Sequence, residues 1–292
     1  MSIKELGYLL VGAPDVEEWR QFATGILGAM AIDGPGGALY VRIDERAFRI
    51  AVLPGHENGL DACGWLVPDP VAFEQAKQAL MQDGVEIRRG DADGARLRCV
   101  QDYFGFRDPA GHNHEIAWGP ISDFTPFASP IGVSGFVTEG LGLGHVVLAA
   151  AGTFDETLDF WVRPGRFALS DILHVTMPHD GIKRRVHFLH CDNPRQHSLA
   201  FGEIPMPGGC LHIMFEVASI NDMGRCLDRV KAADIKITAT MGRHVNDDMT
   251  SFYFQTPAGF SIEYGTGGKQ MDWSNHTAFE TTRGSHWGHD RS

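Results

Sequence analysis

Three residues of metal-ligand type stand far apart in the chain, each within an apolar run. They are His145, His212 and Glu263. An imidazole or a carboxylate on the inner face of a strand is costly unless it is paired or bound to a metal, so these positions predict a shared metal site. Two histidines and one carboxylate form the donor set typical of non-haem Fe(II), which leaves coordination positions open for substrate and oxygen. We therefore expect oxygen chemistry at a ferrous ion.

Predicted strands must hold these three residues in place. Apolar runs at 147–151, 211–217 and 260–264 predict strands near each of them. Residues 153–161 and 219–233 carry apolar side chains at helical spacing, which predicts a helix after each of the first two strands. The order of strand, helix and further strands therefore occurs twice in this half, which indicates a mixed α+β architecture.

The chain resembles itself, because three segments of the first half recur in the second. The pairs are Leu6–Leu10 with Leu143–Val147, Cys63–Trp65 with Cys210–His212, and Asp108–Glu115 with Thr256–Glu263. This internal similarity predicts two copies of one domain. We expect an N-terminal domain at 1–130 that does not bind metal, and a catalytic domain at 131–292 with a C-terminal extension after about Gly267.

The first copy serves as an internal control for the metal site. Aligned this way, Tyr8, Trp65 and Glu115 stand where the second copy has its two histidines and its glutamate. The shared fold therefore does not require histidines at these positions, and this favours a metal site over satisfied core histidines.

Three other histidine pairs offer competing metal sites. They are His112 with His114, His187 with His190, and His286 with His289. The first pair can share one face of a strand but has no evident third ligand, and the second points to opposite faces. The third lies in the tail, where adventitious nickel binding is a better interpretation than a native site.

A longer resemblance supports the iron interpretation. The segment Gly242–Tyr253, followed by Thr256–Gly259 and Glu263–Gly265, resembles the type I extradiol catechol dioxygenases of the vicinal oxygen chelate superfamily. Similar members are the 2,3-dihydroxybiphenyl 1,2-dioxygenases and the 1,2-dihydroxynaphthalene dioxygenases. The likeness covers nearly the whole chain. It implies two vicinal-oxygen-chelate domains, each of two βαβββ modules that form an incomplete barrel around a central cavity.

The resemblance also implies roles for residues of the catalytic domain. It assigns Fe(II) to the three ligands named above and acid–base catalysis to His197. It implies that His244 and Tyr253 hydrogen-bond the substrate and reaction intermediates. Taken without the resemblance, the two histidines also fit ordinary loop or turn positions, and the tyrosine fits a core position.

Further positions follow from the same resemblance. Asn246 and Asp247 match a second layer around the catalytic groups, although an ordinary turn aspartate is also compatible with the pattern. Val147, Met177 and Phe188 match the walls of an aromatic pocket. Asp248 departs from the family, because a histidine is common there, so substrate preferences are not carried over.

The resemblance implies cleavage of a catechol ring by O2 in aromatic degradation. Dihydroxybiphenyl, dihydroxynaphthalene, alkylcatechols and steroid catechols all remain open as substrates. Relatives commonly form homo-oligomers, and we expect the same here. Two alternatives are a lyase or thiol transferase of the same superfamily that uses Zn, Ni or Mn, and a metal-free protein that binds aromatic ligands. The single His-His-Glu set with its accompanying histidines favours the dioxygenase.

Composition excludes several other classes of function. The 292 residues leave room for two domains, and 43% hydrophobic with 21% charged residues fits a folded enzyme. A net charge of −12 argues against nonspecific nucleic-acid binding. The five cysteines include no C-x-x-C pair, and the N-terminus lacks a signal-peptide pattern, so we expect a cytoplasmic protein. No apolar run approaches the ~20 residues of a membrane span.

Overall fold

The N-terminal half folds around one eight-stranded sheet. The computed structural model describes residues 2–163, 166–176 and 181–291. The strands of this half are β1 (Glu5–Ala13), β2 (Met30–Asp33), β3 (Leu39–Arg42), β4 (Ile50–Pro54), β5 (Gly59–Leu66), β6 (Arg88–Arg89), β7 (Asp102–Arg107) and β8 (Asn113–Trp118). Its helices are α1 (Val16–Gln21), which continues into a π-helical segment (Phe22–Leu27), α2 (Pro70–Gln82) and α3 (Ala92–Arg98), with a 3-10 turn at Pro35–Gly37.

The C-terminal half folds around a ten-stranded sheet. Its strands are β9 (Val146–Ala149), β10 (Ala168–Thr176), β11 (Lys183–His190), β12 (Leu199–Gly202), β13 (Cys210–Glu216), β14 (Ile237–His244), β15 (Thr250–Gln255), β16 (Ser261–Thr266), β17 (Glu280–Thr281) and β18 (Ser285–Gly288). Its helices are α4 (Phe154–Trp161) and α5 (Ile220–Ala232). Both helices lie where the apolar spacing predicts them.

The two sheets share one topology. The N-terminal order is β2-β3-β4-β1-β5-β8-β7-β6, and the C-terminal order from β10 to β14 repeats it strand for strand. In each half the first strand runs parallel to the fourth and antiparallel to the fifth. The two additional strands, β17 and β18, extend the edges of the second sheet. Each half thus contains two βαβββ modules, and the predicted α+β vicinal-oxygen-chelate fold is confirmed.

The register of the sheets corrects one part of the internal alignment. In the C-terminal half Glu263 lies beside Met214, two residues after His212. In the N-terminal half Glu115 lies beside Gly64. Counting back by the same two residues reaches Ala62, so Ala62 is the structural counterpart of His212.

The assignment of Trp65 to the position of His212 was therefore wrong. Matching Cys63 with Cys210 shifts the alignment by an odd number of residues, and an odd shift moves a strand residue to the opposite face of its sheet. Trp65 lies on the face of β5 opposite Ala62, fully buried, and its indole N–H lies 3.1 Å from Nδ1 of His114. Tyr8 remains the counterpart of His145, and Glu115 remains the counterpart of Glu263.

One apolar core joins the two halves. The rings of Trp65 and Phe167 pack edge to face with centroids 5.0 Å apart, and Trp161 packs against both. The indole N–H of Trp161 donates to Asp108, and the hydroxyl of Tyr264 donates to the backbone oxygen of Leu27 at 2.9 Å. These contacts fix the second sheet against the first and so hold its other face in position.

Each sheet has a second face that points away from the shared core, and these two faces differ in the size of their side chains. In the N-terminal half, the rings of Tyr40 and Phe48 stack with centroids 4.6 Å apart, and Tyr8 packs beside them. In the C-terminal half, the corresponding cluster is built on the aliphatic Val147 and Ala200.

Among the described residues, no helix is both long and apolar enough to cross a membrane.

Candidate metal centre

Three adjacent strands bring the predicted ligands together. His145 directly precedes β9, His212 lies on β13 and Glu263 lies on β16. His212 is opposite Val147, and the backbone oxygen of His145 accepts a hydrogen bond from the N–H of Met214 at 2.9 Å. Since residues two apart on a strand share a face, all three ligands point to the same side of the sheet.

A glycine makes the close approach at His145 feasible. Gly144 has a φ of +151°, and a Cβ at this position would lie 2.0 Å from the backbone oxygen of Met214. Any other residue would force β9 and β13 apart. The Gly-His pair therefore places the imidazole of His145 directly against the neighbouring strand.

The donor atoms have the separations that one metal ion requires. Nε2 of His145 lies 3.1 Å from Nε2 of His212 and 3.1 Å from Oε2 of Glu263. Nε2 of His212 lies 3.3 Å from the same Oε2 atom. Ligands held about 2.1 Å from one ion at adjacent octahedral corners are about 3 Å apart. The three residues therefore fit one face of an octahedral Fe(II) site.

Electrostatics keep the donors in the forms that bind metal. Burial lowers the pKa of His145 to about 4, so its imidazole is neutral and offers a lone pair. Burial alone would raise the pKa of Glu263, but the neighbouring imidazoles of His145, His212 and His244 hold it well below its ordinary value. A neutral imidazole and a carboxylate are the protonation states that metal coordination needs.

His197 lies directly against the ligand set. Its ring stacks on that of His145 with centroids 3.9 Å apart, and the ring of Phe188 meets its edge at 4.8 Å. Burial and the neighbouring His145 lower the pKa of His197 well below its ordinary value. Its Nδ1 lies 2.6 Å from Oε1 of Gln196. The ring is therefore neutral, and one of its two nitrogens carries a lone pair.

His244 and Tyr253 meet on the other side of the glutamate. Nε2 of His244 lies 2.7 Å from the hydroxyl of Tyr253 and 3.1 Å from Oε1 of Glu263. Burial opposes a charge on His244, but the hydrogen bond to Glu263 and its negative charge raise the pKa of His244 to about 9. Burial raises the pKa of Tyr253 well above its ordinary value, so the phenol keeps its proton.

Two residues that the sequence analysis did not assign to the site complete this side. The hydroxyl of Ser251 donates to Oε1 of Glu263 at 2.6 Å. His289, directly after β18, packs against His244 at a tilted angle with ring centroids 4.1 Å apart, and its Nε2 lies 3.2 Å from the Ser251 hydroxyl. Strand alternation could have placed Ser251 beside Tyr253, but no local pattern indicates that the tail returns to the site.

The remaining predicted positions fall around this centre. Asp247 is buried, burial raises its pKa to about 6, and one of its carboxylate oxygens accepts from the N–H of Met249 at 3.0 Å. Val147 and Phe188 belong to the apolar cluster on the site's face of the sheet. Asn246 follows β14 and stays a prediction. Met177 lies outside the described residues.

The equivalent place in the N-terminal half is closed by an arginine. The guanidinium of Arg98, at the end of α3, pairs with both carboxylate oxygens of Glu115, and the hydroxyl of Tyr8 donates to Oε2 of Glu115 at 2.7 Å. With Ala62 in place of the second histidine, this half offers one carboxylate and no imidazole at these positions. The charge of that carboxylate is already balanced.

Known families match both halves of the chain. Residues 6–55 match the family described as Dihydroxybiphenyl dioxygenase BphC D1, and residues 142–264 match the Glyoxalase/Bleomycin resistance protein/Dioxygenase superfamily. The chain is 38% identical to the iron-dependent extradiol dioxygenase of Rhodococcus jostii strain RHA1, over 100% of this chain and 98% of that protein. It is 41% identical to the biphenyl-2,3-diol 1,2-dioxygenase of Metapseudomonas furukawaii, over 99% and 94% of the two chains.

A solved structure has the same fold over almost the whole length. The crystal structure of BphC, a halotolerant catechol dioxygenase, superposes with a TM-score of 0.91 at 35% identity, and the match covers 99% of this chain and 95% of that one. Similarity at this level extends through both sheets and through the strands that carry the ligand set. The chain therefore belongs to the extradiol catechol dioxygenases of the vicinal oxygen chelate superfamily.

Proposed function

We propose that this chain is an Fe(II)-dependent dioxygenase that opens the ring of a bicyclic or 3-substituted catechol and inserts both atoms of O2. The observation that carries the proposal is the convergence of two imidazole nitrogens and one carboxylate oxygen at 3.1–3.3 Å on a single face of the second sheet. Relatives named biphenyl-2,3-diol 1,2-dioxygenase and 1,2-dihydroxynaphthalene dioxygenase support the bicyclic class.

His145, His212 and Glu263 would hold the ion. When bound, ferrous iron would hold the catechol and O2 side by side and couple them electronically. Two neutral imidazoles and one carboxylate leave an Fe(II) site with a net charge of +1, which favours a catecholate anion. The Ser251 hydroxyl and His244 hold the other oxygen of Glu263, so the carboxylate is fixed in one orientation.

The proton chemistry falls to the residues around the ligands. His197 accepts the proton that the catechol loses on binding, because its ring is neutral, buried and stacked against His145. His244 and Tyr253 donate hydrogen bonds toward the oxygens of the reacting ring, where negative charge develops. Asn246 and Asp247 support this second pair from the turn that follows β14.

Apolar side chains define the pocket for the ring. Val147, Val186 and Ala200 are buried on the same face as the ligands, with Phe188 and Leu173 packed against them. Such walls suit an aromatic ring system larger than catechol itself. We further propose that 1–130 is a domain without metal, that 131–292 is the catalytic domain, and that the protein is a homo-oligomer.

The test is an oxygen-uptake assay on protein reconstituted anaerobically with Fe(II). A panel of 2,3-dihydroxybiphenyl, 1,2-dihydroxynaphthalene, 3-methylcatechol and catechol would be followed by oxygen consumption and by the absorbance of the ring-opened product. We expect one O2 per catechol and the highest kcat/KM for a bicyclic substrate. Parallel loading with Mn(II) reports which metal supports turnover.

Matched variants test the ligand set. H145A, H212A and E263Q should lose both iron retention and ring cleavage, whereas Y8F, at the N-terminal position equivalent to His145, should keep both. Wild-type protein that takes up Fe(II) but consumes no oxygen with any catechol of the panel would reject the proposed function. A ligand variant with full iron content would remove that residue from the set.

A further inference from the structure

The buried carboxylate of Asp171 and the buried carboxamide of Gln196 form a hydrogen-bonded chain that ends at the ring of His197. The side-chain N–H of Gln196 donates to Oδ2 of Asp171, and Oε1 of Gln196 lies 2.6 Å from Nδ1 of His197. All three side chains are buried, with exposures of 1% for Asp171 and Gln196 and 3% for His197. Asp171 touches neither the ligands nor His197 directly, so it can act only through the amide.

The chemistry of the donors settles how the amide is oriented. A carboxylate has only acceptor atoms, so the NH2 end of Gln196 must face Asp171. Its oxygen end then faces His197, and an oxygen can only accept. Nδ1 of His197 must therefore carry the proton. The opposite orientation would place two oxygens in contact and leave the amide N–H facing the imidazole.

A local irregularity in the sheet delivers Asp171 to this position. The pairing of β10 with β11 shifts between Leu169 and Asp171, so Ser170 is an extra residue, as in a β-bulge. The shift places Asp171 opposite Phe188, whose ring contacts His197. The hydroxyl of Ser170 donates to the backbone oxygen of Gln196 at 2.6 Å, which ties the bulge to the residue that carries the amide.

The carboxylate of Asp171 has no evident structural role of its own. Within the described ranges, no basic side chain forms a direct ion pair with it, and its Oδ1 has no side-chain partner. His276, Lys269 and the backbone of Phe279 oppose the effect of burial on its pKa without cancelling it. An unpaired buried carboxylate is costly, so its presence calls for a reason.

We propose that Asp171 and Gln196 are positioning residues that fix the tautomer of His197. The pair holds the proton on Nδ1 and leaves Nε2 as a bare lone pair, ready to accept a proton from the catechol. None of the described residues hydrogen-bonds Nε2. This inference rests on the acid–base role proposed above for His197, and it adds the two groups that would set the direction of proton transfer.

The test is a 15N NMR measurement of the His197 ring in the full chain loaded with diamagnetic Zn(II). The H197F variant assigns the signal. In the wild type we expect the Nδ1–H tautomer. In D171N the side-chain amide at 171 can donate as well as accept, so Gln196 can turn over and a population of the Nε2–H tautomer should appear. Q196M removes the relay and should lose the preference as well.

Turnover of the Fe(II) enzyme gives the second readout. D171N and Q196M should lower kcat about 10- to 100-fold with little change in KM, the usual effect of groups that orient a catalytic residue from behind. D228N is the matched control, because it makes the same carboxylate-to-amide change at an exposed position of α5, outside the relay. It should keep the wild-type tautomer and kcat.

Two outcomes would overturn the inference. One is an Nε2–H tautomer in the wild type, or a tautomer that does not change in D171N and Q196M. The other is an equal loss of kcat in D228N and D171N, which would indicate a general effect of the lost charge and not of the relay. Failure of ring cleavage in the wild type would reject the proposed function but would leave the NMR result standing, so the two failures are distinguishable.

Discussion

Glu115 and Glu263 occupy equivalent positions on β8 and β16, yet their carboxylates are balanced in opposite ways. Glu115 accepts from the guanidinium of Arg98 and the phenol of Tyr8, whereas Glu263 faces imidazoles. A side-chain cation thus balances the carboxylate in the first half, where the proposed metal ion would balance it in the second. This comparison within one chain explains how one fold can have a metal site in only one of its two copies.

Removal of Arg98 should destabilise the fold and leave metal binding intact. R98M leaves the buried Glu115 carboxylate without its cation, and breaking a buried pair in this way costs roughly 3 kcal/mol or more. Denaturant unfolding would measure the loss, and iron analysis should give the wild-type content. R96M is the control, because Arg96 forms an exposed pair on the same helix and should change the unfolding free energy by less than about 1 kcal/mol. A loss of iron in R98M would contradict the expectation that the N-terminal half takes no part in metal binding.

Substitution of Gly144 should weaken metal binding specifically. In G144A the added Cβ collides with the backbone oxygen of Met214, so β9 must move and carry the imidazole of His145 with it. We expect at least a 10-fold lower affinity for Fe(II), of the order seen when ligand orientation is lost. G224A, on α5 with open space around its Cβ, should bind metal like the wild type. Metal titration under anaerobic conditions gives both values.

The H197F variant should separate binding from proton transfer. Because His197 is not a ligand, iron content should be unchanged, while kcat should fall by roughly two to four powers of ten, the usual size of acid–base assistance. Binding of the intact catechol, measured anaerobically by its absorbance, should persist. Wild-type turnover in this variant would remove His197 from the acid–base role.

Asp171 should make the protein less stable at neutral pH than its neutral isostere. Burial raises the pKa of Asp171 from 3.8 to about 6, although His276 and Lys269 partly oppose this and Asp247 adds to it. A raised pKa means that the folded state binds the extra proton between about pH 4 and pH 6, so this contribution to stability increases as the pH falls.

D171N is therefore expected to unfold at a higher denaturant concentration than the wild type at pH 7. The gain can reach about 3 kcal/mol, the equivalent of the pKa shift, and it should vanish below about pH 4. The exposed Asp228 supplies the control, since D228N should follow the wild type at every pH. A D171N variant less stable than the wild type at pH 7 would indicate that the carboxylate is there for stability.

Sequence periodicity was sufficient for the strands near His145, His212 and Glu263, for α4 and α5, and for the repeat, because amphipathic spacing and capping residues are local signals. The helix α5 begins after Ser219, whose hydroxyl caps it, and it buries Met223 and Val230 as expected. The convergence of His145, His212 and Glu263 could be predicted because polar residues in apolar strands are costly and therefore informative. The placement of Trp65 could not, since register depends on hydrogen bonds between strands and not on local similarity.

The rest of the site depended on contacts between distant segments. Asp171 reaches Gln196 through a β-bulge, and His289 reaches His244 through an edge strand, and neither event has a local sequence pattern. Arg98 closes the first half from a short helix, α3, that has no counterpart among the described residues between β14 and β15. Each of these contacts is set by tertiary packing, which residue types and spacing do not reveal.

The last strand, β18, has a consequence for how the enzyme is made. It pairs with β14 at the edge of the sheet and brings His289 against His244 and Ser251. These two residues hold Oε1 of Glu263. A ribosome must therefore translate through β18 before this shell can close. Maturation of the catalytic centre therefore waits for the segment after residue 285, and nascent chains stalled before that residue would expose an unfinished site to the cell.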